Sequence, residues 1–150
     1  MLEALQKISE KLLSLLQQDP VRPHIPVTER VGDNKDIFVL REGDDVKAIT
    51  CVSYQEDVPI HESDLFGLSG SEPGVAVFYT IWSYSPGSGR DLLLSAVKHI
   101  KANRPEVNRF VTLSPKTEMA KKFHLKNGAW TFRENPDTIN YEYDVKNMLD

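Results

Sequence analysis

The chain has 150 residues, enough for one domain with a single core of ordinary size. Hydrophobic residues make up 40% and charged residues 27%, which excludes a disordered chain. A formal net charge of -4 argues against a dedicated nucleic-acid binder.

Leu2, Leu5, Ile8, Leu12, Leu15 and Leu16 fall on one helical stripe that ends at Asp19-Pro20, which predicts an N-terminal helix over residues 1–18 packed on a single domain spanning 1–150. Pro20, Pro23 and Pro26 then extend the chain as a connector. Ile37 to Leu40 and Val46 to Val52 flank Glu42-Gly43-Asp44-Asp45, the punctuation of an antiparallel hairpin. Residues 55–73 are acidic and loop-forming; a loop of this length beside a ligand site is a candidate lid, with His61 and Glu62 expected on its solvated surface.

Gly74 to Ser83 is an almost unbroken run of β-branched and aromatic residues, which places it in mid-sheet. Pro86-Gly87-Ser88-Gly89 breaks that strand, and Leu92, Leu93, Ala96, Val97 and Ile100 recur at helical spacing until Asn103-Arg104-Pro105. A strand at Arg109 to Leu113 follows, then a helix over about 117–126 closed by Asn127-Gly128. Two strands linked by a helix make a right-handed parallel crossover. Trp130 to Arg133 and Ile139 to Val145 read as an antiparallel pair turning at Pro136-Asp137, so the fold class is α/β with a mixed sheet.

Cys51 is the one cysteine, which excludes an intrachain disulfide, and its apolar run is the setting of a buried, inert thiol. No apolar stretch approaches membrane-spanning length, and Glu3, Lys7, Glu10 and Lys11 interrupt the first leucines, unlike a signal peptide. The expected location is the cytoplasm. His24, His61, His99 and His124 are scattered without a second ligand at helical spacing, so no metal site is expected.

The glycine turn carries the first chemical signal. With Gly87 and Gly89 lacking side chains, a diphosphate can approach the backbone, where the free amides and positive dipole end of the following helix meet it. An ordinary tight strand-to-helix turn would have the same two glycines. The dinucleotide fingerprint fails because Asp91 and Leu92 stand where its third glycine would be, and a Walker loop lacks its Gly-Lys-Ser/Thr.

Gly87-Ser88-Gly89-Arg90-Asp91-Leu92-Leu93 resembles the acyl-CoA pyrophosphate loop of the GNAT acetyltransferase superfamily, and Ala120 to Gly128 resembles that superfamily's later helix. Tyr84 stands where the loop usually begins with glutamine or arginine, and His124 where a tyrosine usually protonates the departing thiol. A narrower resemblance accounts for both. Ala76 to Ile81, Phe110 to Pro115, Phe123 to Ala129 and Asn140 to Val145 are similar, in that order, to segments of the catalytic domain of malonyl-CoA decarboxylases, which have the GNAT fold. The resemblance covers the C-terminal half and implies a GNAT-like central sheet splayed between its two parallel strands, with flanking helices. It implies that Ser114 and His124 occupy the family's catalytic serine and histidine positions, Tyr143 an active-site tyrosine and Thr80 a hydroxyl position of the central strand. Gly87 falls where the family carries a functional glutamate, and the family's long insertion and N-terminal helical domain are expected to have no counterpart within these 150 residues.

These residues imply a coenzyme A thioester as substrate, its pyrophosphate on Gly87, Ser88, Gly89, Arg90 and Asp91. The leading expectation is decarboxylation of a malonyl-type CoA or acyl carrier protein thioester, with His124 as proton donor near neutral pH. Acyl transfer to an amine acceptor is the second, with Glu62 as a candidate base, and a non-catalytic CoA-binding or protein-binding module the third. Ser114-Pro115 also reads as a helix cap, and one continuous helix would set Ser114 about 15 Å from His124 along its axis. Lys116, Lys121, Lys122, Lys126, Arg90, Arg104 and Arg109 are candidate cations for the CoA phosphates, Arg90 foremost.

Overall fold

A computed structural model describes residues 2–5, 10–66 and 73–149, the side chains of Asn147 and Leu149 excepted. The elements run β1 (Leu2–Leu5), α1 (Glu10–Leu16), β2 (Lys35–Glu42), β3 (Asp45–Gln55), β4 (Val75–Ser83), α2 (Ser88–Asn103), β5 (Arg109–Thr112), β6 (Ser114–Pro115), α3 (Glu118–Lys126), β7 (Ala129–Glu134), β8 (Thr138–Tyr143) and α4 (Val145–Leu149). Short 3-10 turns at Val27–Glu29 and Glu62–Phe66 interrupt the two long connections.

One mixed sheet in the order β1-β2-β3-β4-β5-β8-β6, with β7 also on β8, separates two cores. Alternation along the strands divides the side chains between them. Ile37, Val39, Val75 and Val77 face α1 with Leu12 and Leu16, whereas Phe38, Ala76 and Phe78 face the Leu92, Leu93, Ala96, Val97 and Ile100 stripe of α2. The sheet is antiparallel except at β4 and β5, whose parallel register pairs Val75 with Arg109 and ends with Phe78 against Thr112.

The first element differs from expectation. Residues 2–5, expected within an N-terminal helix, form a strand antiparallel to β2, with Leu2 opposite Leu40. The free edge of β2 supplies backbone partners, and the segment suits both layers: Leu2 and Ala4 pack on the α2 side and Leu5 on the α1 side. Helix α1 then covers only Glu10–Leu16; residues 6–9 lie outside the described residues. The last strand stops at Tyr143, where Val145 begins a short helix in place of the strand expected to reach it. Residues 67–72 of the candidate lid are likewise outside the described residues.

Candidate active site

The parallel ladder between β4 and β5 stops for two reasons written in the chain. Between Val52↔Phe78 and Cys51↔Thr80 the register leaves Tyr79 as an extra, bulged residue in β4. On the other strand, Leu113 N still donates to Phe78 O at 3.2 Å, but Pro115, two residues on, has no amide to donate. Ser114 and Pro115 turn instead to β8, pairing with Ile139 and Thr138. The strands part, and a cavity of about 600 Å³ opens between them.

Phe78 to Ser83 of β4, Gly89 of α2, Ser114 and Pro115, Ala120, Phe123 and His124 of α3, and Pro20 and Val21 line this cavity. Its walls are largely apolar. Among the described residues lining it, none carries a carboxylate, ammonium or guanidinium group. Tyr79 and His124 are the titratable ones, and Tyr79 buries its ring in the core on the α1 side.

His124 and Ser114 share this cavity because the chain between them is not one helix. Ser114 belongs to β6, and α3 begins at Glu118 behind Thr117, whose hydroxyl caps the helix by accepting from Ala120 N at 3.2 Å. The Ser114 hydroxyl bonds to Thr112 Oγ1 at 2.8 Å rather than to the imidazole, and Thr112 Oγ1 also accepts from Tyr141 N at 3.1 Å.

The imidazole of His124 is enclosed by aromatic rings. It stacks on Tyr141 at a centroid distance of 5.1 Å, meets Phe123 edge to face, and its Nδ1 lies 2.6 Å from the Tyr143 hydroxyl. Burial pulls the pKa of His124 down to about 4. The sequence had suggested an unperturbed imidazole; the folded ring is neutral at pH 7. Burial also raises the pKa of Tyr143 well above its ordinary value. The phenol therefore keeps its proton and can donate it to Nδ1, leaving Nε2 as the protonated nitrogen.

Thr80 stands at the bulge, and its hydroxyl donates to Asp19 Oδ1 at 2.8 Å. Its proton is committed, so Thr80 has only lone pairs to offer a ligand. The same oxygen accepts from Val21 N and Arg22 N, and Asp19 Oδ2 accepts from Arg30 Nη1 at 2.9 Å. Asp19 and Arg30 are both buried, and the guanidinium reaches Cys51 Sγ at 3.6 Å. Burial pushes the Cys51 thiol up to about 11 against the pull of Arg30. Arg22 completes the network: Nε donates to Tyr79 O at 2.8 Å, Nη2 to Leu113 O at 2.6 Å and Nη1 to Glu62 Oε1 at 2.6 Å. The sequence marked Asp19 only as the end of a helical stripe and gave no sign of Arg22 or Arg30; polar residues in a proline-rich connector have no periodicity to betray burial.

Glu62, expected on a solvated surface, is half-buried between Arg22 and His24. Its partial burial would raise its pKa, but the hydrogen bonds from His24 and Arg22 outweigh this and hold the carboxyl below its ordinary value. It does not line the cavity.

At the cavity's other end, α2 begins after Gly87, whose φ of 80° is left-handed. Ser88 N bonds to Ser85 O and Asp91 N to Gly87 O, while the amides of Gly89 and Arg90 find no acceptor among the described residues. Ser85 and Ser88 join their hydroxyls in a hydrogen bond. Of the predicted phosphate loop, Gly89 reaches the cavity, Ser88 is buried, and Gly87, Arg90 and Asp91 are exposed beside it. A Cβ on Gly89 would lie 3.1 Å from Phe123 Cε1, so glycine lets α2 approach the α3 wall. Lys116, Lys121, Lys122 and Lys126 are exposed. Arg109 is held by a two-pronged contact with Glu142, and Arg104 stacks over Tyr54, so neither is free for phosphate.

The sequence matches no protein-family model and no curated protein. Solved structures do resemble the fold. Malonyl-CoA decarboxylase from Agrobacterium vitis superposes with a TM-score of 0.68 at 20% identity, covering 82% of this chain and 35% of that one. The enzyme of the same name from Cupriavidus metallidurans gives 0.72 at 13% identity, over 99% of this chain and 62% of that one. A Bacillus subtilis acetyltransferase crystallised with CoA gives 0.58 at 13% identity, over 95% and 97%. This chain spans about a third of the Agrobacterium protein. The splayed mixed sheet, the parallel β4-β5 pair and the flanking helices are those of the GNAT fold, common to these acetyltransferases and malonyl-CoA decarboxylases.

Proposed function

We propose that the protein binds a coenzyme A thioester in the cavity between β4 and β5 and decarboxylates a malonyl-type acyl group, carried on CoA or on a carrier protein. The observation that carries this reading is the lining of the cavity: a buried neutral imidazole backed by a phenol, in apolar walls that among the described residues bring no carboxylate. Acyl transfer to an amine needs a base to take the proton of the attacking ammonium, and Glu62, the candidate for that task, is tied to Arg22 and His24. Decarboxylation needs neither a base nor a second substrate.

The pyrophosphate would rest on the Gly89 and Arg90 amides at the start of α2, with the exposed Arg90 side chain as its cation and pantetheine running into the fork. Thr80, with its lone pairs, would accept from a pantetheine amide on one wall, and Ser114 on the opposite wall would position the thioester by turning its hydroxyl from Thr112 to the carbonyl. The carboxylate then lies in surroundings that solvate it poorly and that tolerate neutral CO2 well. As the bond between carboxylate and methylene carbon breaks, its electron pair moves onto the thioester, and negative charge gathers on the carbonyl oxygen. The Nε2–H of His124 can donate to that oxygen. Proton delivery to the carbon from Nε2, concerted with passage of the Tyr143 proton to Nδ1 and of a solvent proton to the phenol oxygen, forms the acetyl thioester and leaves both the imidazole and the phenol neutral.

Mass spectrometry of malonyl-CoA incubated with the protein alone tests the proposal. Acetyl-CoA should accumulate with equimolar CO2 and without any acceptor. Malonyl-CoA left intact, with acetyl-CoA consumed only when polyamines or amino sugars are added, would instead establish an acyltransferase. Absence of CoA binding in calorimetry would leave neither enzyme.

A further inference from the structure

Besides the Tyr79 bulge and the Pro115 turn, the opening between β4 and β5 has a support outside both strands. Where the ladder ends, two carbonyls are left facing the fork, those of Tyr79 in the bulge and Leu113 before the proline turn. Buried carbonyls without partners are costly, and two strands in this position would ordinarily close on one another or admit water. Here one side chain takes both: Arg22 donates from Nε to Tyr79 O and from Nη2 to Leu113 O. Its third nitrogen is fixed by Glu62, and its own amide by Asp19, which also takes the Thr80 hydroxyl. The planar, rigid fork of a guanidinium suits this bridging, and a lysine, with a single donor atom, could not span it in the same way. Pro20 and Val21, just ahead of Arg22, form part of the cavity wall.

We infer that Arg22 is the positioning residue that holds β4 and β5 apart, setting the width of the gap that admits the thioester. The inference rests on the reading that this gap is the thioester site. Arg22 does not line the cavity and acts through the strands it bridges, so it is not itself a catalytic residue. Through Asp19 the same turn also sets the orientation of Thr80, linking the width of the fork to the direction of a wall hydroxyl.

Two measurements on the full chain separate this inference from the functional proposal. Hydrogen exchange, without ligand, compares wild type with Arg22→Lys and Arg22→Met. Exchange should rise at residues 79–83 and at Leu113 and Ser114, and stay unchanged at Val75 to Phe78; unchanged exchange at the fork would overturn the inference. Calorimetry with CoA then reads the consequence. Both variants should bind about 10-fold or more weakly, as loss of a charge-assisted pair of bonds implies. In Arg22→Ala, millimolar guanidinium chloride, but not sodium chloride, should restore affinity. Variants that bind CoA as wild type does, or a loss that guanidinium leaves unrepaired, would also overturn it. Wild type that fails to bind CoA, with exchange altered at the fork, would remove the thioester proposal and leave Arg22 as the strand spacer.

Discussion

Tyr143 on β8 stands 2.6 Å from Nδ1 of His124 on α3, and this contact joins the last strand of the sheet to the one imidazole that, among the described residues, lines the central cavity. Because burial takes the pKa of that imidazole from 6.5 to about 4, the unfolded chain binds more protons between those values. The resulting stability is complete above about pH 6.5 and is lost as the pH falls toward 4, by about 3 kcal/mol in all. Urea unfolding at pH 7 and at pH 4.5 should show that slope in wild type and a shallower one in His124→Gln. Equal slopes would mean that the ring does not titrate as an isolated buried group.

The same contact makes a kinetic prediction. His124→Ala should lower decarboxylation by about 100-fold or more, the ordinary worth of a positioned acid. Tyr143→Phe keeps the ring but leaves Nδ1 without its partner, and should cost about 1–3 kcal/mol of stability as well as turnover. Single-turnover rates with malonyl-CoA measure the first, and thermal unfolding the second.

Two glycines near the start of α2 should respond differently to alanine. At Gly87, φ of 80° is unfavourable for any side chain, so Gly87→Ala should lose about 1–2 kcal/mol although nothing crowds the new methyl. At Gly89 the new Cβ meets the Phe123 ring at 3.1 Å and must displace it. Since Phe123 lines the cavity, Gly89→Ala should weaken CoA binding measured by calorimetry more than it lowers the melting temperature.

Ser114→Ala distinguishes a substrate contact from a structural hydroxyl. Thr112 keeps its bond from Tyr141 N when the serine is removed, so the fold should lose no more than about 1 kcal/mol. A fall in kcat of about 10-fold or more with the melting temperature nearly unchanged is expected. Unchanged kcat would make Ser114 a structural element of β6 alone.

Asp19 should be far more sensitive than its place in a connector suggests. Asp19→Ala strands the fully buried Arg30 and frees the Thr80 hydroxyl, and breaking a buried pair from one side costs about 3–5 kcal/mol. Arg30→Met, which removes the other charge, leaves Asp19 with Thr80 and two amides and should cost less. Denaturant midpoints of the two variants give the order.

Much of the fold could be read in the chain because periodicity reports burial. The run from Gly74 to Ser83, the α2 stripe and the Asn127-Gly128 stop each appear within a residue or two of where pattern placed them. Leu2 to Leu5 misled because four residues cannot distinguish a helical stripe from an edge strand, and the open side of β2 decided it. Within the site, His124, Ser114, Thr80 and Tyr143 came from a family resemblance, and folding brings the first three to one cavity and the fourth against the imidazole. Their protonation was not legible. The pKa of His124 depends on rings from β8 that lie near it only after folding, and the Thr80 proton depends on Asp19, which is distant in sequence. Arg22 and Arg30 have the composition of surface residues, and only the two strands that part beside them explain why they are inside.

Cys51 gives the molecule an intrinsic reporter. As the chain's single thiol, fully enclosed beneath Arg30 and little ionised at neutral pH, it is accessible to an alkylating reagent only while β3 and β4 are breached. The rate of its modification therefore clocks opening of the layer behind the cavity, with no label introduced and no residue replaced. A compound that settles between the strands should slow that clock, which turns a buried, unreactive side chain into a screen for whatever the protein binds.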